Sequence, residues 1–174
     1  MRFARLFVLL SIFSLVSCNK TRDYSDHKNR EYSTYYDRFL LNDLNDFYNQ
    51  DSDLYIIYMY GSTCEPCTKI KGVILDYLDE IIDGTCTYIT DFYIYERELD
   101  PNYSSGAWSS YYFKPLPENA TSIRNTLITE MLGATSLSET YFFGTPSLYI
   151  IKDHSLDNLI LGSSSCGDYI YRYL

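Results

Sequence analysis

The 174 residues suffice for one hydrophobic core and leave too little chain for two domains of ordinary size. An apolar fraction of 46%, with 17% aromatic residues, belongs to a chain that folds, not to one too polar to collapse. A formal charge of -9 sets the surface against phosphate backbones, so no nucleic acid is expected as a partner. The twenty tyrosines suit strands and half-wet surfaces and are read as composition, not as a site.

Arg2 and Arg5 precede an apolar run from Leu6 to Val16 that is too short to span a bilayer, so residues 1–17 read as a signal peptide. The run ends Leu15-Val16-Ser17-Cys18, which resembles the bacterial lipoprotein lipobox. That resemblance implies acylation of Cys18, giving an extracytoplasmic, membrane-anchored lipoprotein; a plain secretory signal followed by an unrelated cysteine is the alternative. On either reading the mature chain lies where disulfides persist. Residues 18–35 are polar, mixed in charge and without a face to bury; they are expected to form a tether, with the folded domain over 36–174.

Phe39, Leu40, Leu44, Phe47 and Tyr48 fall on one stripe and predict a helix from about Tyr36 to Asn49. The apolar and aromatic run Leu54 to Tyr60 reads as a buried central strand. A helix opens at Cys64-Glu65-Pro66-Cys67 and runs to about Ile82, with Ile70, Val73, Ile74, Tyr77, Leu78 and Ile81 on its buried face. Pro66 fits its first turn, where a missing N–H costs nothing. Thr85 to Tyr95 is expected as a second strand, and the alternation implies a parallel α/β core. Turn chemistry dominates 96–143, interrupted by a helix over Thr121 to Leu132. Ser147 to Ile151, a turn at 153–155, Leu159 to Leu161 and a closing helix from Asp168 to Leu174 complete the chain.

Cys64 and Cys67 are spaced to bridge within one helical turn. At a helix N-terminus the unpaired N–H groups and the dipole stabilise a thiolate, lowering a cysteine pKa from about 8.5, and the thiolate is the species that attacks a disulfide. Tyr60 and Thr63 before the pair, and Glu65 and Pro66 within it, are the side chains expected to modulate it. A zinc site would need four ligands, and neither Cys86, Cys166 nor a histidine is spaced to complete one, so no metal or other cofactor is expected. A purely structural bridge is the remaining alternative, although so short a loop constrains the unfolded chain little.

The segment Tyr55 to Tyr77 with its CxxC motif resembles the active strand and helix of the thioredoxin superfamily. Gly144-Thr145-Pro146-Ser147 resembles the cis-proline loop of that family, and Gly162 stands where it has a glycine before its last helix. The resemblance covers about Tyr36 to Leu174. It implies a thioredoxin-like α/β fold, a central mixed sheet flanked by helices, with an insertion within about 96–143 before the cis-proline loop. Cys64 would be the nucleophile and Cys67 the resolving thiol, with Pro146 against them and the Thr145 backbone pairing with an extended substrate. Where many members carry a buried acid, six residues before the first cysteine, this chain has Tyr58. Cys86 and Cys166 would form a structural disulfide or remain buried thiols. Trp108, with Tyr111, Tyr112 and Phe113, would line a groove of the insertion or pack inside it.

The expected function is thiol–disulfide exchange with exported proteins or peptides, fed by a membrane redox partner. Glu65 disfavours a thiolate at Cys64, which makes a couple more reducing, so a reductase or isomerase is expected over an oxidase. A non-catalytic accessory lipoprotein that binds a peptide or assists an exporter is the second reading.

Overall fold

The computed structural model describes residues 29–103 and 108–174. The expected signal peptide and Cys18 lie outside them. Four strands form one mixed sheet in the order β2-β1-β3-β4. These are β1 (Leu54–Tyr60), β2 (Phe92–Glu96), β3 (Ser147–Lys152) and β4 (Ser155–Leu161). β2 runs parallel to β1, whereas β3 is antiparallel to both β1 and β4, so the core is mixed and not parallel throughout.

β1 is central because it has no polar face. Ile56, Tyr58 and Tyr60 enter the core cluster beneath helix α2 (Glu65–Ile82), and Tyr55, Ile57 and Met59 enter the cluster on the opposite face. A strand buried on both sides reads as a continuous apolar run, as this one does. Three of the buried tyrosines are structural. Tyr55 donates to Phe47 O at 2.9 Å, Tyr77 to Ile89 O at 2.8 Å and Tyr149 to Tyr141 O at 3.2 Å. Each ring fills apolar space while its hydroxyl satisfies a backbone carbonyl.

The expected helix over 36–49 stops after one turn, α1 (Tyr36–Phe39). Leu40 bridges Ile94 in parallel, and Leu41 N–H donates to Ile94 O at 2.8 Å. The chain thus adds a rudimentary fifth strand at the β2 edge, satisfying backbone groups that a longer helix would leave unpaired there. Phe47 then enters the second cluster from a short 3-10 turn (Leu44–Asp46).

α2 matches its expected limits, and its predicted stripe is buried except for half-buried Val73; Cys67 and Leu75 widen it. β2 begins seven residues later than expected, because Thr85 and Cys86 cap the end of α2. Their N–H groups donate to Glu80 O at 2.9 and 3.0 Å after Gly84 turns the chain at φ 69°. Helices α3 (Trp108–Tyr112) and α4 (Arg124–Met131) lie in the insertion. Trp108 and Phe113 are buried against Phe142 and beneath the second face of the sheet, so those two side chains pack inward, while Tyr111 stays exposed. The closing helix α5 (Ser163–Tyr171) begins five residues before the expected start, directly after Gly162, and packs on the α2 side.

The ordered packing starts upstream of the expected tether boundary at residue 35. Tyr32 and Tyr35 are buried, and Arg30 pairs with Asp76 at 3.0 Å and with Asp79 on α2. Two aromatic rings interleaved with charges suffice to dock this segment, although no helical or strand period marks it.

Candidate functional site

The site is built where β1 ends and α2 begins. Cys64 N–H donates to Gly61 O at 3.1 Å, closing a tight turn, and Cys64 is the N-cap residue of α2. Its Sγ accepts from Cys67 N–H at 3.2 Å, taking the position an oxygen occupies in an ordinary cap. Cys64 and Cys67 form a disulfide with their Cα atoms 5.2 Å apart. Pro66 stands in the first helical turn, as expected. Cys64 is 8% exposed and Cys67 2%, so the first sulfur lies nearer the surface.

The Thr145–Pro146 bond is cis, and Cys64 Sγ lies 3.6 Å from Thr145 O. The Thr145 carbonyl therefore lies beside Cys64, at the start of the cis-proline loop. Cys166 lies behind this loop, its Sγ 3.4 Å from Ile160 O and 3.8 Å from Pro146 O. Burial pushes its thiol up to about 12. Cys86 sits in the α2–β2 connection with its Sγ toward Ile89 O. Both are free thiols; the Cys86–Cys166 disulfide is not formed, because each sulfur is turned to a carbonyl of its own surroundings.

Tyr58 is fully buried, 3.4 Å from the Tyr32 hydroxyl, and burial drives its hydroxyl pKa well above the usual value. It cannot carry a charge as a buried carboxylate could. A carboxylate stands two residues further along the sheet. Tyr60 donates to Glu96 Oε2 at 2.6 Å, and the Tyr36 hydroxyl donates to the same oxygen. Burial, followed by the hydrogen bond to Glu96, raises Tyr36 to about 12 and Tyr60 further. Tyr36, Tyr60, Glu96, Lys71 and Cys67 line a cleft of about 270 Å³.

Glu98, in the turn after β2, reaches the loop before the cysteines. It accepts from Ser62 N–H at 2.9 Å and from the Thr63 hydroxyl at 3.3 Å. Burial acts to raise its carboxyl, but hydrogen bonds from Arg97 and Ser62 outweigh it, and the group titrates below its usual range. Neither Glu96 nor Glu98 was singled out from the sequence. The available signal was their place at the C-terminal end of a strand parallel to β1, where Tyr60 registers with Glu96; such strand ends are where open α/β sheets build their sites.

Glu65 behaves differently from its expected role. Its carboxylate is 82% exposed and pairs with Lys69 at 3.0 Å, one helical turn on. Solvent and Lys69 screen it from Cys64. Glu65→Gln is therefore expected to lower the apparent Cys64 pKa of the reduced protein by only about 0.3 units, read by pH-dependent alkylation. A fall of about one unit or more would restore Glu65 as the dominant charge at the pair.

No protein-family profile and no curated protein matches the chain. Among solved structures it is similar to mitochondrial thioredoxin 3 of Saccharomyces cerevisiae in its oxidised form, at 15% identity and TM-score 0.42, over 80% of this chain and 98% of that one. It is also similar to oxidised thioredoxin of Plasmodium falciparum, at 12% identity and TM-score 0.41, over 78% and 96%. Thioredoxin O2 of Arabidopsis thaliana aligns at 16% identity and TM-score 0.38, over 78% and 94%. The fold assignment rests on the chain itself: with its β2-β1-β3-β4 sheet, a CxxC helix after the central strand and a cis Thr145–Pro146 bond whose Thr145 carbonyl lies beside Cys64, this chain has a thioredoxin-like fold.

Proposed function

We propose that the chain is a thiol–disulfide oxidoreductase working outside the cytoplasm on exported proteins or peptides, held to a membrane by a lipid on Cys18. The carrying observation is the Cys64–Cys67 disulfide at the α2 N-terminus, beside the cis-proline loop, with Cys64 the outer sulfur. In the reducing direction, the Cys64 thiolate attacks one sulfur of a substrate disulfide, and the other leaves as a thiolate that takes up a proton. Cys67 then loses its proton and attacks Cys64 Sγ, expelling the second substrate thiolate and forming the Cys64–Cys67 bond. Two electrons pass to the substrate, and a membrane dithiol partner returns them. The Thr145 backbone offers an extended peptide a strand-like partner while Cys64 is engaged.

The reducing direction is supported by charge. Glu98 stands by the loop that carries Cys64, Glu65 adds only a screened contribution, and carboxylates there disfavour a thiolate, which makes the couple more reducing. Equilibration of the full chain with dithiothreitol and glutathione buffers tests this. A potential near that of thioredoxin, about −270 mV, is the expected result; a value near −120 mV would make the protein an oxidant. A pair that does not exchange with either buffer would replace this proposal with the non-catalytic accessory reading.

A further inference from the structure

The turn Gly61-Ser62-Thr63 sets the height and angle at which Cys64 leaves β1, and its middle residues Ser62 and Thr63 are exposed. Such a turn is free to move unless something holds it. Glu98 reaches it from the neighbouring strand end. One carboxylate oxygen accepts from Ser62 N–H at 2.9 Å, and the other accepts from the Thr63 hydroxyl at 3.3 Å and from Arg97 Nε at 2.9 Å. The Arg97 guanidinium lies 5.4 Å from the ring centre of Tyr103, which ties it to the insertion. Both side chains are largely covered, at 23% and 17% exposure for Arg97 and Glu98.

Gly61 shows how close this approach is. A Cβ there would lie 2.5 Å from Arg97 Nε and 2.8 Å from Glu98 Oε1. The position is occupied by the one residue without a Cβ, and the carboxylate uses the space.

We propose that Glu98 is a positioning residue for Cys64: from the root of the insertion it clamps the Ser62–Thr63 turn and so holds the nucleophilic sulfur at the helix end and against Thr145. This rests on the reading of the cysteine pair as an exchanging couple. The clamp works as a hydrogen-bond acceptor, so its neutral amide analogue retains the contact with Ser62 N–H while its alanine variant does not. Misplacing a reacting atom through such a contact costs rate far out of proportion to the stability lost.

The test compares the full chain with Glu98→Ala, Glu98→Gln and Gly61→Ala. In the last of these the three atoms nearest the new methyl belong to the Arg97 and Glu98 side chains, so it is expected to displace that pair and leave the fold intact. Two quantities are read: the rate of insulin disulfide reduction and the hydrogen-exchange rate of the Ser62 amide. In Glu98→Ala and Gly61→Ala, insulin reduction is expected to slow about tenfold and Ser62 exchange to quicken about tenfold, the scale of one lost hydrogen bond to a charged group. Glu98→Gln should stay within about threefold of the parent in both, since its carbonyl still accepts from Ser62. Ser62 exchange unchanged in Glu98→Ala would overturn the clamp. So would a Gln variant as slow as the Ala variant, which would make the charge, and not the hold, the active property. If the parent itself fails to reduce insulin, the proposed function falls, while the Ser62 amide still decides the clamp.

Discussion

Cys67→Ser turns the protein into a covalent trap: the reduced variant is expected to accumulate a dithiothreitol-sensitive adduct with oxidised insulin, joined through Cys64, while Cys64→Ser forms none. Cys67 is 2% exposed and lies under Cys64, so it meets no substrate directly and can only resolve a bond already made to its neighbour. Without it the mixed disulfide has no intramolecular exit, and turnover in both variants should fall by about a thousandfold or more, the scale on which loss of a covalent nucleophile acts. Peptide mapping of the adduct is the measurement. Attachment at Cys86 or Cys166, or an equal yield from Cys64→Ser, would remove Cys64 as the attacking sulfur.

The second large effect falls on stability. Phe47 is wholly buried, sits edge-on to Tyr149 at 5.1 Å and to Phe113 at 6.2 Å, and tilts against Tyr48 at 5.1 Å. It therefore joins the N-terminal segment, β3 and the insertion on the sheet face away from the cysteines. Phe47→Ala should cost about 3–5 kcal/mol, the transfer loss plus the cavity left among rings that cannot collapse into it. Because a domain of this kind has only about 5–15 kcal/mol in total, the urea midpoint should drop by about a fifth or more with little change in slope. A loss under about 1 kcal/mol would show that the neighbouring rings close the gap.

What was legible in the chain and what was not separates along physical lines. α2 was readable to its ends because a buried stripe at helical period, a proline in the first turn and a CxxC pair all demand the same element. β1 was readable because seven apolar or aromatic residues in succession have no other comfortable place than a sheet covered on both faces. The opposed CxxC and Thr145–Pro146 loops followed from these, and the structure places them in contact. The failures were contests that local pattern cannot settle. Leu40 fits a helical stripe, but the edge of β2 captured it together with Leu41. Thr85 and Cys86 resembled a strand, but their N–H groups donate to the Glu80 carbonyl in the last turn of α2. Tyr32 and Tyr35 were diluted by charges and yet docked on α2. Glu96 and Glu98 belong to a class that single-chain patterns do not mark, because their role comes from the register of β2 beside β1. Glu65, by contrast, was conspicuous in the motif and is turned to water.

The docking of Arg30 on Asp76 and Asp79 brings the folded domain close in sequence to the proposed lipid anchor. Eleven residues separate Cys18 from Arg30, and twelve Cα–Cα steps span at most about 40 Å. Arg30 sits on the flank of α2 at Asp76, about 18 Å along the helix from Cys64 at its tip. The sulfur pair would then patrol a shallow layer above the bilayer, close enough to meet a dithiol in the membrane and too closely held to follow a substrate that has diffused away.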